Sequence, residues 1–236
     1  MTSATHEAVF SGQVAYRGLI PTHELDEEAL PVALDTTNFS GPKRHFLIYP
    51  IGADYRTLNI VAFIPEPRHK DESWTSQGTL EDLSKELEGW NPRVRSIVET
   101  WKKLQDTTMK QALYEHEPLD KWTDGHLVVM GDAAHAMLPH QGQGTGQAIE
   151  DGVTLALCLQ GANVENIHKR LELYFHLRKE RTDRVVNTSR EAGRIASSAN
   201  PDKRTPVDLD AMKKRWQWLW KHDVFEAFEA EKDKYF

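Results

Sequence analysis

Leu127-Val128-Val129-Met130-Gly131-Asp132-Ala133-Ala134-His135-Ala136-Met137-Leu138-Pro139-His140-Gln141-Gly142-Gln143-Gly144-Thr145-Gly146-Gln147-Ala148-Ile149-Glu150-Asp151-Gly152 is the most informative stretch of this chain. Its first four residues are apolar without alternation, the pattern of a short strand buried on both faces. Asp132 follows at the carboxyl end of that strand, where open α/β sheets bind ligands. Three glycines then stand at Gly142, Gly144 and Gly146. They tolerate positive φ and let the backbone approach a flat ligand closely. An apolar helix is expected from about Thr145 to Leu159. The free N–H groups at its start would stabilise negative charge.

Two familiar glycine motifs are excluded. A phosphate-binding P-loop needs Gly-Lys-Ser/Thr, and the stretch contains no lysine. The dinucleotide pattern G-x-G-x-x-G fails here for want of its third glycine, and it occurs nowhere else in the chain.

Upstream, Val9 to Ile20 reads as a strand ended by Pro21. His45 to Tyr49 and Thr57 to Phe63 read as two more, joined by the hairpin turn Gly52-Ala53-Asp54-Tyr55-Arg56. A mainly antiparallel sheet follows from these. Thr79 with Asp82 resembles a capping box, and Asn91-Pro92 opens a helix carrying Val94, Ile97, Val98 and Trp101 at helical spacing. Thr108 to Tyr114 is a further candidate strand. Beyond the glycine loop, Val164 to Ser197 reads as a long charged amphipathic helix and Asn200 to Thr205 as a linker. Asp208 to Phe228 reads as a last helix, with Trp216, Trp220, Val224 and Phe228 on its core side. Glu180, Arg181, Asp183 and Arg184 read as a solvated face, and Cys158 as a buried core residue.

The chain has 236 residues, with 29 Lys+Arg against 36 Asp+Glu and a net charge of −7. That balance argues against a nucleic-acid partner. With one cysteine no internal disulfide can form, and a reducing compartment fits. No apolar run approaches the roughly 20 residues that span a bilayer. Residues 1–10 lack the basic and apolar regions of a secretory signal, so a cytoplasmic location is expected.

The block Gly131–Gly152 resembles the second FAD-binding motif of the flavin-dependent aromatic hydroxylases of the salicylate hydroxylase type. Gly12-Gln13-Val14-Ala15-Tyr16-Arg17-Gly18-Leu19-Ile20-Pro21 is similar to the start of their substrate domain. His45-Phe46-Leu47-Ile48-Tyr49-Pro50 is similar to its next strand, and Trp218-Leu219-Trp220-Lys221-His222-Asp223 to their C-terminal end. The family begins with a Rossmann βαβ unit carrying G-x-G-x-x-G, which is absent here. The chain therefore resembles the C-terminal part of such an enzyme.

The resemblance implies a mixed α+β and α/β fold. Residues 1–115 would form the substrate-domain sheet and its helices, and 116–200 the C-terminal part of the FAD-binding domain with its long helices. Residues 201–236 would form a C-terminal helix. It implies FAD as cofactor, NADH or NADPH as co-substrate, and O2 with a small aromatic substrate. Asp132 would bind the ribityl hydroxyls. Pro139, Gly142, Gln143, Gly144, Thr145 and Gly146 would lie along the isoalloxazine ring.

His45 and Tyr49 share one strand face with Leu47, the face that looks into the substrate cavity in the family. His45 would take a phenolic proton and Tyr49 orient the ring, both contacting substrate, and Arg17 would hold a carboxylate or support the flavin. A satisfied sheet histidine, a packed tyrosine and a structural salt bridge are the plain alternatives. Two further readings of the whole chain remain. One is a non-catalytic remnant, or an interaction protein that needs a separate N-terminal half; that half or a second copy in a homodimer is the expected protein partner. The other is a metal-dependent hydrolase built on Asp132, His135 and His140. For that reading, a His-x4-His spacing across a proline lacks the helical geometry of zinc enzymes.

Overall fold

A computed structural model describes residues 7–67, 75–197 and 216–235. The chain forms two compact units that divide between Leu113 and Tyr114. The sheet unit takes Phe10–Leu113 with residues 194–197. The loop unit takes Tyr114–Gly193 with residues 7–9 and 216–235. Among the described residues no helix is long and apolar enough to cross a membrane.

The sheet unit is built on six strands: β1 (Val9–Pro21), β2 (Thr37–Gly41), β3 (Arg44–Ile51), β4 (Thr57–Pro65), β5 (Thr75–Thr79) and β6 (Thr107–Glu115). Their order is β2-β3-β4-β1-β6-β5, and β3 and β4 form the expected antiparallel hairpin. Its turn closes with Gly52 at φ 85° and Tyr55 at φ 54°, while the Asp54 carboxylate accepts from the Arg56 N–H. The strand register sorts side chains onto two faces. Tyr16, Gly18 and Ile20 stand opposite Ala62, Ile60 and Leu58, which in β3 face Phe46, Ile48 and Pro50. Apart from Gly18 and Pro50, every one of these side chains is buried.

The one-turn helix α1 (Leu30–Ala33) precedes β2, and two longer helices, α2 (Leu80–Glu86) and α3 (Pro92–Leu104), follow the edge strand β5. Each of these two starts where its cap residue stands. The Thr79 hydroxyl accepts from the Asp82 N–H at 3.1 Å, and the Asn91 side chain accepts from the Arg93 N–H at 3.0 Å. Val94, Ile97, Val98 and Trp101 of α3 are all buried. Trp101 approaches β1 so closely that a Cβ on Gly18 would overlap the indole ring.

The loop unit is mainly helical: α4 (Asp132–His135), α5 (Gly144–Leu159), α6 (Ile167–Ala196), α7 (216–220) and α8 (Val224–Glu231). Its apolar core gathers Trp122, Ala134, Cys158, Leu173, Tyr174 and Phe228. Burial pushes the Cys158 thiol up to about 12, so it stays protonated and inert.

Three expectations are corrected here. The run Leu127–Met130 is not a doubly buried strand. Only Leu127–Val128 (β8) pairs, with Thr123–Asp124 (β7), and Leu127 is 65% exposed. Among the described residues no other strand lies beside it; Val128 and Val129 pack against the core of the loop unit, while Leu127 and Met130 stay exposed. The last helix is not continuous: it breaks at 221–223, where the Asp223 carboxylate caps α8 by accepting from Phe225 and Glu226. Leu219, rather than the 70%-exposed Trp220, then faces the interior. Arg181 is not solvated, because it turns inward onto Glu150. The linker Asn200–Thr205 and the start of the predicted last helix lie outside the described residues.

Gly18→Ala is expected to cost about 1–3 kcal/mol by forcing Trp101 away from the sheet. Urea unfolding of the variant with an unchanged midpoint would contradict that close approach.

Candidate functional site

The glycine loop is held by polar contacts buried beneath it. Asp151 on α5 is fully buried, and its Oδ2 accepts from the Gly131 N–H at 2.8 Å and from His135 Nε2 at 2.7 Å. The His135 proton therefore resides on Nε2. Oδ1 accepts from Arg178 Nε at 2.8 Å. Arg178, only 1% exposed, spends its other nitrogens on Glu150 and on Gln147. Arg181 binds the same Glu150 carboxylate through Nε at 2.6 Å and Nη2 at 2.7 Å. Burial pushes the Asp151 carboxyl up, but the bonds from His135, Arg178 and Gly131 outweigh it and hold it below the usual carboxylate range.

This arrangement fixes where the chain turns. Gly131 sits at φ 58°, ψ −142°, a conformation only glycine adopts without strain. The His116 Nδ1–H donates to the Glu117 carbonyl, and Nε2 accepts from the Ala136 N–H at 3.3 Å, closing the α4 turn from outside. Further along, Ser189 donates to the Leu138 carbonyl at 2.6 Å and Thr188 to Gln141 Oε1 at 3.1 Å. His140 is packed against Gly193, and burial holds its imidazole down to about 4, so it is neutral at physiological pH.

What remains on the surface is the set expected to hold a cofactor. Asp132 opens α4 and is exposed, with no side-chain partner among the described residues. Pro139 starts a 3-10 turn, and Gly142 ends it in the left-handed region at φ 62°. Nothing lies within 4 Å of a Cβ built at Gly142 or Gly144, so the space over the loop is open. No side chain caps the N-terminus of α5, leaving the N–H groups of Gly144, Thr145 and Gly146 directed outward. A free carboxylate for hydroxyls, beside uncapped amides for an anionic ring edge, suits a flavin.

The metal reading fails on this geometry. His135 points inward to Asp151 while Asp132 lies outside. Among the described residues no group of three His, Cys, Asp or Glu could hold an ion.

The other expected residues belong to the sheet unit. His45, Leu47 and Tyr49 do share a face, in register with Phe63, Val61 and Asn59 of β4 and then with Ala15, Arg17 and Leu19 of β1. His45 is 4% exposed, its Nδ1 lies 3.0 Å from the Ser197 hydroxyl, and its ring stacks on Phe63 at 4.1 Å. Arg17 is half-buried and donates through Nε to Gln111 at 2.8 Å, and Tyr49 is half-buried. Sequence reasoning missed Asp151, Arg178 and Arg181 as the hub beneath the loop, and His116 as its outer tether. The Glu150-Asp151 pair, and arginines three apart on one helix, were the signal available.

Asp151→Asn is expected to destabilise the chain by about 3–5 kcal/mol, because it removes the buried charge that answers Arg178 Nε and His135, leaving Glu150 as the one carboxylate on Arg178. A carboxyl held below its unfolded value stabilises above that value, about 3.8, and loses the contribution as pH falls through the folded one. The unfolding midpoint of the wild type should thus fall more steeply than that of the variant below about pH 4. Parallel acid limbs would contradict this.

Residues 25–189 match the family model described as FAD binding domain. A salicylate hydroxylase of Pseudomonas putida is 32% identical over 91% of this chain, which covers 52% of that protein. A 6-hydroxynicotinate 3-monooxygenase of Pseudomonas fluorescens is 29% identical over 92% of this chain and 51% of its own length. The solved structure of a salicylate hydroxylase substrate complex superposes with a TM-score of 0.82 at 28% identity, over 96% of this chain and 58% of the other. The chain thus spans about half the length of the curated relatives it matches. It belongs to the FAD binding domain family, alongside the salicylate hydroxylase-like FAD-dependent monooxygenases.

Proposed function

We propose that this chain is part of an FAD-dependent monooxygenase that hydroxylates a phenolic or aromatic acid with NAD(P)H and O2. The observation that carries the reading is the surface of the loop unit: an unengaged Asp132 carboxylate beside an uncapped α5 N-terminus and open glycines. Bound FAD would supply the redox chemistry that splits O2 and delivers one atom to the ring. The residues of the chain do the rest. Asp132 accepts hydrogen bonds from ribityl hydroxyls. Pro139 and Gly142–Gly146, with Gln143 and Thr145 among them, form the flat support for the ring. The N–H groups of Gly144, Thr145 and Gly146 face negative charge on its edge.

In the sheet unit, Tyr49 and Arg17 orient the aromatic substrate and His45 receives its phenolic proton. The contact with Ser197 and the Phe63 stack hold the His45 ring in one orientation.

A second polypeptide segment is also part of this reading. Leu127, Met130 and Ile149 are 65%, 37% and 63% exposed, and they border the site. Such an apolar patch favours cover by further chain, in line with a separate N-terminal half.

Asp132→Ala is expected to weaken FAD binding about ten- to a hundredfold, the loss of hydrogen bonds to a charged acceptor. Flavin fluorescence titration measures it, and equal affinity in both proteins removes the ribityl assignment. His45→Ala should slow hydroxylation about a hundredfold while sparing flavin reduction by NAD(P)H. Rapid-mixing kinetics separates the two steps, and equal losses would refute the proton-accepting role.

A further inference from the structure

Glycine inside a helix is less favourable than alanine, so a buried one calls for a physical reason. Gly193 is buried near the end of α6. Its φ lies outside the left-handed region, so backbone freedom is not that reason. Space is. A Cβ on Gly193 would stand 2.3 Å from His140 Cδ2, 2.4 Å from Nε2 and 2.8 Å from Cγ. The glycines of α5 differ. At Gly146 and Gly152 the nearest atoms would be 3.5 Å and 3.9 Å away, and at Gly144 nothing lies within 4 Å. The His140 imidazole thus occupies the place where any other residue at 193 would put its side chain.

His140 sits inside the 3-10 turn Pro139–Gln141 that ends in Gly142. The turn is tied at both ends. The Leu138 carbonyl accepts from Ser189, which is one helical turn before Gly193 on the same face of α6. The Gly142 N–H donates to the Pro139 carbonyl at 3.0 Å. Burial holds the His140 ring neutral, so it lies against α6 without a charge to solvate. In so close a packing a displaced ring moves its backbone with it. The displacement reaches Gly142 and then the N-terminus of α5.

We propose that Gly193 is a positioning residue for the flavin loop: lacking a side chain, it seats the His140 ring on α6, and that seat fixes where Pro139 and Gly142–Gly146 meet FAD. This rests on the reading of that loop as the flavin support. Gly193 itself touches no cofactor; it acts through His140. It also gives His140 a place in the site that the metal reading did not.

Gly193→Ala, His140→Ala and the double variant of the full chain test the proposal. Each is titrated with FAD by flavin fluorescence, and amide hydrogen exchange is followed over residues 140–147. Gly193→Ala should weaken FAD about tenfold and speed exchange across the loop, because the new methyl overpacks the turn. Removing the ring removes the clash, so the double variant should match His140→Ala within about twofold and bind more tightly than Gly193→Ala. A purely helical role gives the opposite sign: Gly193→Ala would raise the thermal midpoint and leave FAD affinity and loop exchange unchanged, which overturns the proposal. So does a double variant no better than Gly193→Ala. Should Gly193→Ala fail to fold, the double variant decides, since it must fold and bind as His140→Ala does. The exchange data also separate this from the flavoenzyme reading. A wild type that takes no FAD, with exchange changed by Gly193→Ala and restored in the double variant, keeps the seat and removes the flavin reading. FAD binding that Gly193→Ala leaves intact does the reverse.

Discussion

The buried contact between Asp151 and Arg178 is the constraint on which the loop unit is arranged. One carboxylate receives the backbone of Gly131, the ring of His135 and the guanidinium of Arg178, tying a glycine turn, a short helix and two long helices to one point. A charge so fully removed from water tolerates few alternatives. Moving any of the four elements would leave a donor or an acceptor unanswered, at several kcal/mol each. The loop can therefore present glycines with open space above them without collapsing onto itself. Its shape is held from the helices beneath it, which its own His135, His140 and Gln141 side chains meet.

The sheet unit reaches the same end by other means. There, rigidity is apolar. Trp101 closes against Gly18, and a row of buried aliphatic and aromatic groups fills one face. The opposite face carries Arg17, Tyr49, Asn59 and His45 on the same strands, with Ala15, Val61 and Phe63 buried among them. In both units the groups suited to chemistry sit on a scaffold whose stability is secured elsewhere.

Much of this was legible in the sequence, for identifiable reasons. The hairpin of β3 and β4 and the caps at Thr79 and Asn91 follow from local chemistry that does not depend on distant partners. The glycine loop was legible because its spacing suits a single kind of backbone path. What escaped was non-local. The inward stripe of α5 is Gln147, Asp151, Thr154 and Cys158, mostly polar, while Ile149 on the same helix is 63% exposed. Hydrophobic periodicity reads such a helix inside out, since only the distant Arg178 makes those polar groups fit for burial. Leu127–Met130 misled for a related reason: four apolar residues state a preference for cover without providing it. The break at 221–223 was written in Asp223, a good cap, but the tryptophan spacing suggested a longer helix.

The alternation of the sheet also bears on how such a protein can diverge. Positions 16, 20, 46, 48, 58, 60 and 62 pack the covered side, and positions 17, 19, 47, 49 and 59 belong to the other. A change at the second set alters the face proposed to meet substrate and leaves the packed side in place. New ligand preferences can then accumulate by single substitutions, without passing through unfolded intermediates. A two-residue repeat in the backbone thus separates inheritance of the fold from inheritance of its chemistry.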